Sequence, residues 1–375
     1  MRYIDNLFYN MKFSCEKSDL QKALSVVQKA INSHNTLQIL GNICITVKDQ
    51  TVEFTATNLE IAITTSIEAN VTSEGKITLP ARLLVNYISL LKNGEIEIKL
   101  LSGDTIKITS RDSETKIKGI SAEEFPEIPT FTPDFTFSLS GEVLKKSIER
   151  VAFACSASSA RPVLSGVLFW VNGKELRMVG TDSYRLSEQI IELVDDLSEA
   201  KYIVPARTLQ ELSRIIEQKD DIKIEVSKNQ ILFSTNTTEI SSRLIEGSFP
   251  DYKRIIPTEK KGTFTVSRSD VTLAVKRAGI FAKEMDNNII KVELSNEGLK
   301  ITTDETEIGS GNTLVEGEIE GEGEMVALNS VYFLDILQVL HSENIRVVVK
   351  EQLAPVKILS EEDDGFTYIL MPLKV

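Results

Sequence analysis

Gly180-Thr181-Asp182-Ser183-Tyr184-Arg185-Leu186 closes an alternating apolar run that begins at Leu176. Two other stretches read the same way. Thr57-Asn58-Leu59-Glu60 follows the run Val52–Ala56, and Thr303-Asp304-Glu305-Thr306 follows Leu299–Thr302. The three threonines stand 124 and 122 residues apart. A second series recurs at nearly the same period: Leu79-Pro80-Ala81-Arg82, Val204-Pro205-Ala206-Arg207 and Val326-Ala327-Leu328-Asn329. Phe125-Pro126, Phe249-Pro250 and Met371-Pro372 make a third. One period in three markers means one unit repeated three times, each of about 120 residues. The boundaries expected are an extension over 1–10, with Met11 as a second start, and repeats over 11–133, 134–256 and 257–375.

Each repeat carries two helical patterns. The first spans about Glu16–Ile31, Ser140–Ala154 and Ser267–Lys283, with apolar stripes such as Leu20, Leu24, Val27 and Ile31, or Val271, Ala274, Ala278 and Phe281. The second follows the Pro-Ala-Arg sequences, with Pro80 and Pro205 placed for the first helical turn. Between them, runs such as Ile96-Glu97-Ile98-Lys99-Leu100 alternate with period two, as half-buried antiparallel strands do. The fold expected is α+β, two helices laid on one face of an antiparallel sheet in each of three domains.

The composition bounds function. Among 375 residues, 42 Lys and Arg face 55 Asp and Glu, a net charge of −13, with 42% hydrophobic residues. Such a chain is globular rather than disordered. Three scattered cysteines, Cys15, Cys44 and Cys155, fit a reducing cytoplasm. No apolar run approaches the length of a membrane span, and residues 1–10 do not read as a signal peptide.

The acidity is unevenly spread. The six helical windows together sum to +6, which leaves −19 on the strands and loops. The basic residues fall off the apolar stripes: Arg82; Lys145, Lys146 and Arg150; Arg207 and Arg214; Lys276, Arg277 and Lys283. Three like domains in a row form an arc with open sheet edges, and a twofold-related second copy closes it into a ring. With helices inside, a positive hole would guide duplex DNA through phosphate contacts that read no sequence. The residues expected to face DNA are the nine just named.

At this point the chain resembles the bacterial sliding clamp family, the β subunit of DNA polymerase III. Thr36-Leu37-Gln38-Ile39-Leu40-Gly41-Asn42, Thr55-Ala56-Thr57-Asn58-Leu59-Glu60, the 180–186 stretch, Phe249-Pro250-Asp251-Tyr252-Lys253-Arg254 and the terminal Tyr368–Val375 carry the resemblance, which covers Met11 to Val375. It implies a head-to-tail homodimeric ring of three-domain subunits. It also implies a hydrophobic cleft where clamp loader, DNA polymerases and repair proteins dock short peptides. Carried over by position, the cleft wall comprises Arg161 and Leu164, then Thr181, Tyr184, Arg185 and Leu186. Pro250, Arg254 and Ile255 follow, then Asn329 and Tyr332, and lastly Ile369, Leu370, Met371, Pro372 and Leu373. An apolar tail with Met suits a surface that accepts varied ligands, and Arg and Tyr are enriched at binding hot spots. Ser183-Tyr184 replaces the family's common Gly-His, and His34-Asn35 replaces an Arg-Pro in a loop expected near DNA. For the dimer seam the expectation is Ile280 and Phe281 against Ile117 of a second subunit.

No enzyme pattern competes. The two histidines, His34 and His341, lack a triad or metal-site partner pattern. Lys260-Lys261-Gly262 lacks the upstream glycines of a phosphate loop. Glu316–Glu324, with a glutamate at every second position, reads as a solvated acidic loop rather than a calcium site. The expectation is a non-catalytic protein without metal or cofactor. The other class that shares these features is a cytoplasmic repeat scaffold binding proteins but not DNA.

Overall fold

The computed structural model describes residues 11–374 apart from 33–36, 159, 258–259, 285–287, 296, 322–323 and 362–364. His34 and Asn35 therefore lie outside the described residues. Six α-helices are present among the described residues: α1 (Lys17–Val27), α2 (Ala81–Leu90), α3 (Gly141–Val151), α4 (Ala206–Ile215), α5 (Arg268–Ala282) and α6 (Ser330–Val339). They alternate with antiparallel strands in the order that the threefold period predicts. The apolar stripes face inward: Leu20, Leu24, Leu144, Ile148, Leu209, Leu212, Val271, Phe333 and Ile336 are all essentially inaccessible.

The helices start where the sequence provides a cap or a proline. Ser267 Oγ accepts from Asp270 N ahead of α5, and Asn329 Oδ1 accepts from Val331 N and Tyr332 N ahead of α6. Pro80 and Pro205 differ slightly from expectation. Each ends a strand and stands just before the first helical residue, where an extended proline needs no N–H. The helix of the first repeat also stops earlier than its stripe suggests. α1 ends at Val27 and a 3-10 turn, Gln28–Ala30, follows it.

The chain divides into two compact units. One contains the chain up to Gly141 together with Arg214–Leu244. Its larger sheet has eight strands, in the order Phe135–Ser140, Asp221–Val226, Gln230–Ser234, Thr238–Arg243, Ile61–Glu68, Thr51–Thr57, Asn42–Lys48 and Gly75–Pro80. Strands of the second repeat thus continue the sheet of the first, joined where Thr238–Ser242 pairs with Ile61–Thr65. A five-stranded sheet completes this unit.

The other unit contains Glu142–Ser213 and the chain from Ile245 onward. Its seven-stranded sheet joins the second repeat to the third in the same manner, Arg185–Gln189 pairing with Phe366–Leu370. A four-stranded sheet lies with it, and its main core packs α5 and α6 on strand residues such as Phe264, Val347, Ile358 and Tyr368. Pairing across repeats leaves fewer open edges than three separate sheets would.

The acidic segment Glu316–Glu324 is a correction. Gly317–Gly321 is an edge strand of the seven-stranded sheet, paired with Gly262–Ser267. Its carboxylates are solvated, and Lys260 and Lys261 pair with Glu320 and Glu324 at 3.3 and 2.6 Å. A charged edge strand resists pairing with another sheet, which explains why a strand here is acidic.

Candidate functional site: a turn, a tail and a helix

The site is built on the stretch from which the repeat was read. Thr181 Oγ1 donates to Arg185 O at 2.6 Å and accepts from Ser183 N at 3.2 Å. Asp182 Oδ1 accepts from Tyr184 N at 2.9 Å and from Arg185 N at 3.0 Å. These bonds hold Ser183 at φ 82°. Thr57 and Asn58 form the same set with Leu59, Glu60 and Ile61, and Leu59 sits at φ 74°. Short polar side chains replace the missing backbone partners of a tight turn, so Thr-Asp and Thr-Asn recur for a geometric reason. Gly180 precedes the second turn because a Cβ there would lie 2.3 Å from Val151 O. The third copy departs: Thr303 Oγ1 instead accepts from Gly311 N, and Asp304 pairs with Lys291.

The second turn projects Tyr184, which is 58% exposed and stacks on Tyr332 of α6 with ring centroids 6.4 Å apart. Its carbonyl accepts from Met371 N at 2.9 Å, and Leu373 N donates to Ala327 O at 2.8 Å. Two backbone bonds therefore pin the C-terminal tail, whose Met371, Pro372 and Leu373 stay half-buried.

Arg185 lies beneath. Its guanidinium bonds Asp182 at 3.0 Å, Asp335 at 2.5 Å and Phe153 O at 2.8 Å, and it sits 4.5 Å from the Tyr332 ring centroid. With 9% exposure it braces the turn against α6 rather than meeting a ligand. Burial raises the phenol of Tyr332 above its usual range, assisted by Asp182, and it raises Tyr252 and Tyr368 further. These three rings stay uncharged at neutral pH.

The other expected cleft residues separate into surface and foundation. Arg161, Pro250 and Arg254 are exposed, Arg161 bonding Ser183 Oγ at 3.2 Å and Arg254 pairing with Asp251 at 2.6 Å. Asn329, Tyr332 and Ile255 are half-buried, the Asn329 amide being occupied as the cap of α6. Leu164, Thr181, Leu186, Ile369 and Leu370 are buried and offer no surface. Leu186 and Ile369 pack in a small cluster with Leu168, Val179 and Tyr252, against which Met371 and Ile255 rest. Leu370 points to the opposite face, into the main core. Sequence reading missed Tyr252, Phe153 and Asp335. Asp335 had a signal, since it is the single charge on α6.

Of the residues expected to face DNA, Arg82, Lys146, Arg207, Arg214, Lys276, Arg277 and Lys283 are exposed, and Lys145 is half-exposed. Arg150 is a correction. It is 3% exposed, donates to Gln189 Oε1 at 2.9 Å and lies 4.9 Å from the Phe366 ring centroid. Lys22, exposed on α1, was missed. Among the seam residues, Ile280 is 63% exposed and Phe281 half-buried. Ile117 is the second correction: on the edge strand Glu114–Lys118 of the five-stranded sheet it pairs with Ile106, and its side chain is buried, 5% exposed. The exposed apolar residues of that unit include Leu83 and Leu90 on α2, at 52% and 84%.

Three family models match nearly the whole chain: DNA polymerase III beta subunit, N-terminal domain, over residues 11–129, central domain over 138–251 and C-terminal domain over 253–374. The beta sliding clamp of Staphylococcus epidermidis is 31% identical over 374 residues, covering 97% of this chain and 99% of that protein. The crystal structure of the DNA polymerase III beta chain from Streptococcus pneumoniae is 29% identical and superposes with a TM-score of 0.93 over 97% of this chain and 100% of its own. A sliding clamp from Pseudomonas aeruginosa bound to griselimycin is 26% identical, with a TM-score of 0.92 over 98% of this chain and 100% of its own.

Proposed function

The chain belongs to the bacterial sliding clamps, the β subunits of DNA polymerase III, and on that premise we propose that two copies close head to tail around duplex DNA. The family is a non-catalytic processivity subunit, so the question for this chain is what it holds and where. The observation that carries the reading is the exposure of basic side chains along the helices, Arg82, Lys146, Arg207, Arg214, Lys276, Arg277 and Lys283, against a net charge of −13. Cations on helices and carboxylates elsewhere attract phosphates to one layer only. The surface of Tyr184, Tyr332 and the half-buried tail Met371–Leu373 would dock short apolar peptides of clamp loader, polymerases and repair proteins, in the cytoplasm. The griselimycin-bound relative supports a ligand-accepting surface in this fold.

The test is topological. Loaded on nicked-circular DNA, the protein stays bound, and linearising the circle releases it at the same salt. Equal loss from both forms would remove the ring and favour a scaffold that binds proteins alone.

A further inference from the structure

Lys22 of α1 is exposed, yet its Nζ lies 2.8 Å from Glu217 Oε1. The other carboxylate oxygen, Oε2, lies 3.1 Å from Lys219 Nζ. One carboxylate therefore sits between two lysines, at the edge of a groove of about 550 Å³ also lined by Asp19 and Asp220. The two ammonium groups hold the Glu217 carboxyl down at about 2, so it stays charged at any physiological pH.

The fold does not need that carboxylate. The turn carrying it is tied by Asp220, whose Oδ2 accepts from Glu217 N at 2.7 Å and whose N–H donates to Glu217 O at 3.1 Å. Solvent-exposed pairs of this kind add little to stability. Their field at a nearby phosphate is another matter, since a fixed anion beside two cations lowers the local positive potential whether or not the pairs persist. Lys22 and Lys219 are the cations that line this groove, and Glu217 is the carboxylate bonded to both.

We propose that Glu217 is a brake on DNA attraction: it partly neutralises Lys22 and Lys219, so that this part of the helical layer holds the duplex loosely enough to slide. The inference rests on the DNA-encircling reading above.

The experiment measures affinity for a short duplex oligonucleotide over a salt series, for wild type, E217Q, K22Q and the double variant. Each phosphate engaged adds about 0.9 to the slope of log K against log salt. E217Q is expected to steepen the slope by about 1–2, with an unchanged unfolding midpoint. K22Q is expected to reduce the slope more in the E217Q background than in the wild type. An E217Q slope equal to wild type, or strictly additive effects, overturns the proposal; E217A gives the same readout should E217Q fold poorly. Loss of wild type from nicked circles would remove the underlying reading instead. Retention there with an unchanged E217Q slope removes the brake alone.

Discussion

Arg150 shows how one residue can depart from the pattern in which it stands. It follows Ile148 and precedes Val151 on α3, beside Lys145 and Lys146, and so reads as part of a basic face. Its aliphatic stem instead runs inward, with the guanidinium bonded to Gln189 and laid over Phe366. Ser187 Oγ also donates to Arg150 O, tying the end of α3 to the strand below. Long cationic side chains can bury stem and head together when the head finds polar partners. Arg150→Ala removes the hydrogen bond, the ring contact and packing volume at once. It is expected to lower unfolding free energy by about 2–4 kcal/mol, measured by denaturant titration, with duplex affinity unchanged. A stable variant with weaker DNA binding would return Arg150 to the DNA-facing set.

At the scale of elements, the proposed docking surface is a meeting of three: a side-chain-capped turn, the C-terminal tail and α6. The turn chemistry was legible, because Thr-Asp followed by a residue at positive φ is a local solution that depends on adjacent side chains. The meeting was not. Tyr184 and Tyr332 are 148 residues apart in sequence, and only tertiary packing stacks their rings and sets Tyr332 over Arg185. The tail likewise splits by face, since alternate strand residues point oppositely: Ile369 enters the small cluster, Leu370 the main core. Tyr184→Ala is expected to weaken a partner peptide by about 5–30-fold, roughly 1–2 kcal/mol, in a fluorescence titration. The C-terminal tail should stay in place, because the backbone bond from Met371 to residue 184 remains. Unchanged peptide affinity would remove Tyr184 from the docking surface.

For the whole molecule, the proposed seam between two copies would rest on exposed apolar side chains. Ile280 stands out on α5, while Phe281 is partly covered; a Cβ at Gly311 would lie 3.2 Å from its ring. In the unit that carries the first repeat, Leu83 and Leu90 are better candidates than Ile117, and together they would bury apolar surface that a lone subunit leaves in water. Ile280→Asp is expected to raise the dimer dissociation constant at least about tenfold, read by analytical ultracentrifugation, while each subunit stays folded. An unaltered dimer would place the seam elsewhere. Ile117 could have been rejected earlier, since Thr115-Lys116-Ile117-Lys118 alternates as a strand does and puts its one large apolar side chain inward.

By itself the sequence determined the threefold repeat, the six helices with their buried stripes and the separation of basic helices from acidic strands. Each of these follows from local periodicity or from neighbours a few residues apart. Tertiary structure alone decided the fate of several charged side chains: Arg150 inward, Arg185 consumed by two carboxylates, Lys22 held by a glutamate from another repeat. It also decided that sheets run across repeat boundaries. The exposure of these side chains depends on partners such as Phe366, Asp335 and Glu217, each brought from more than a hundred residues away, and no local pattern encodes their arrival.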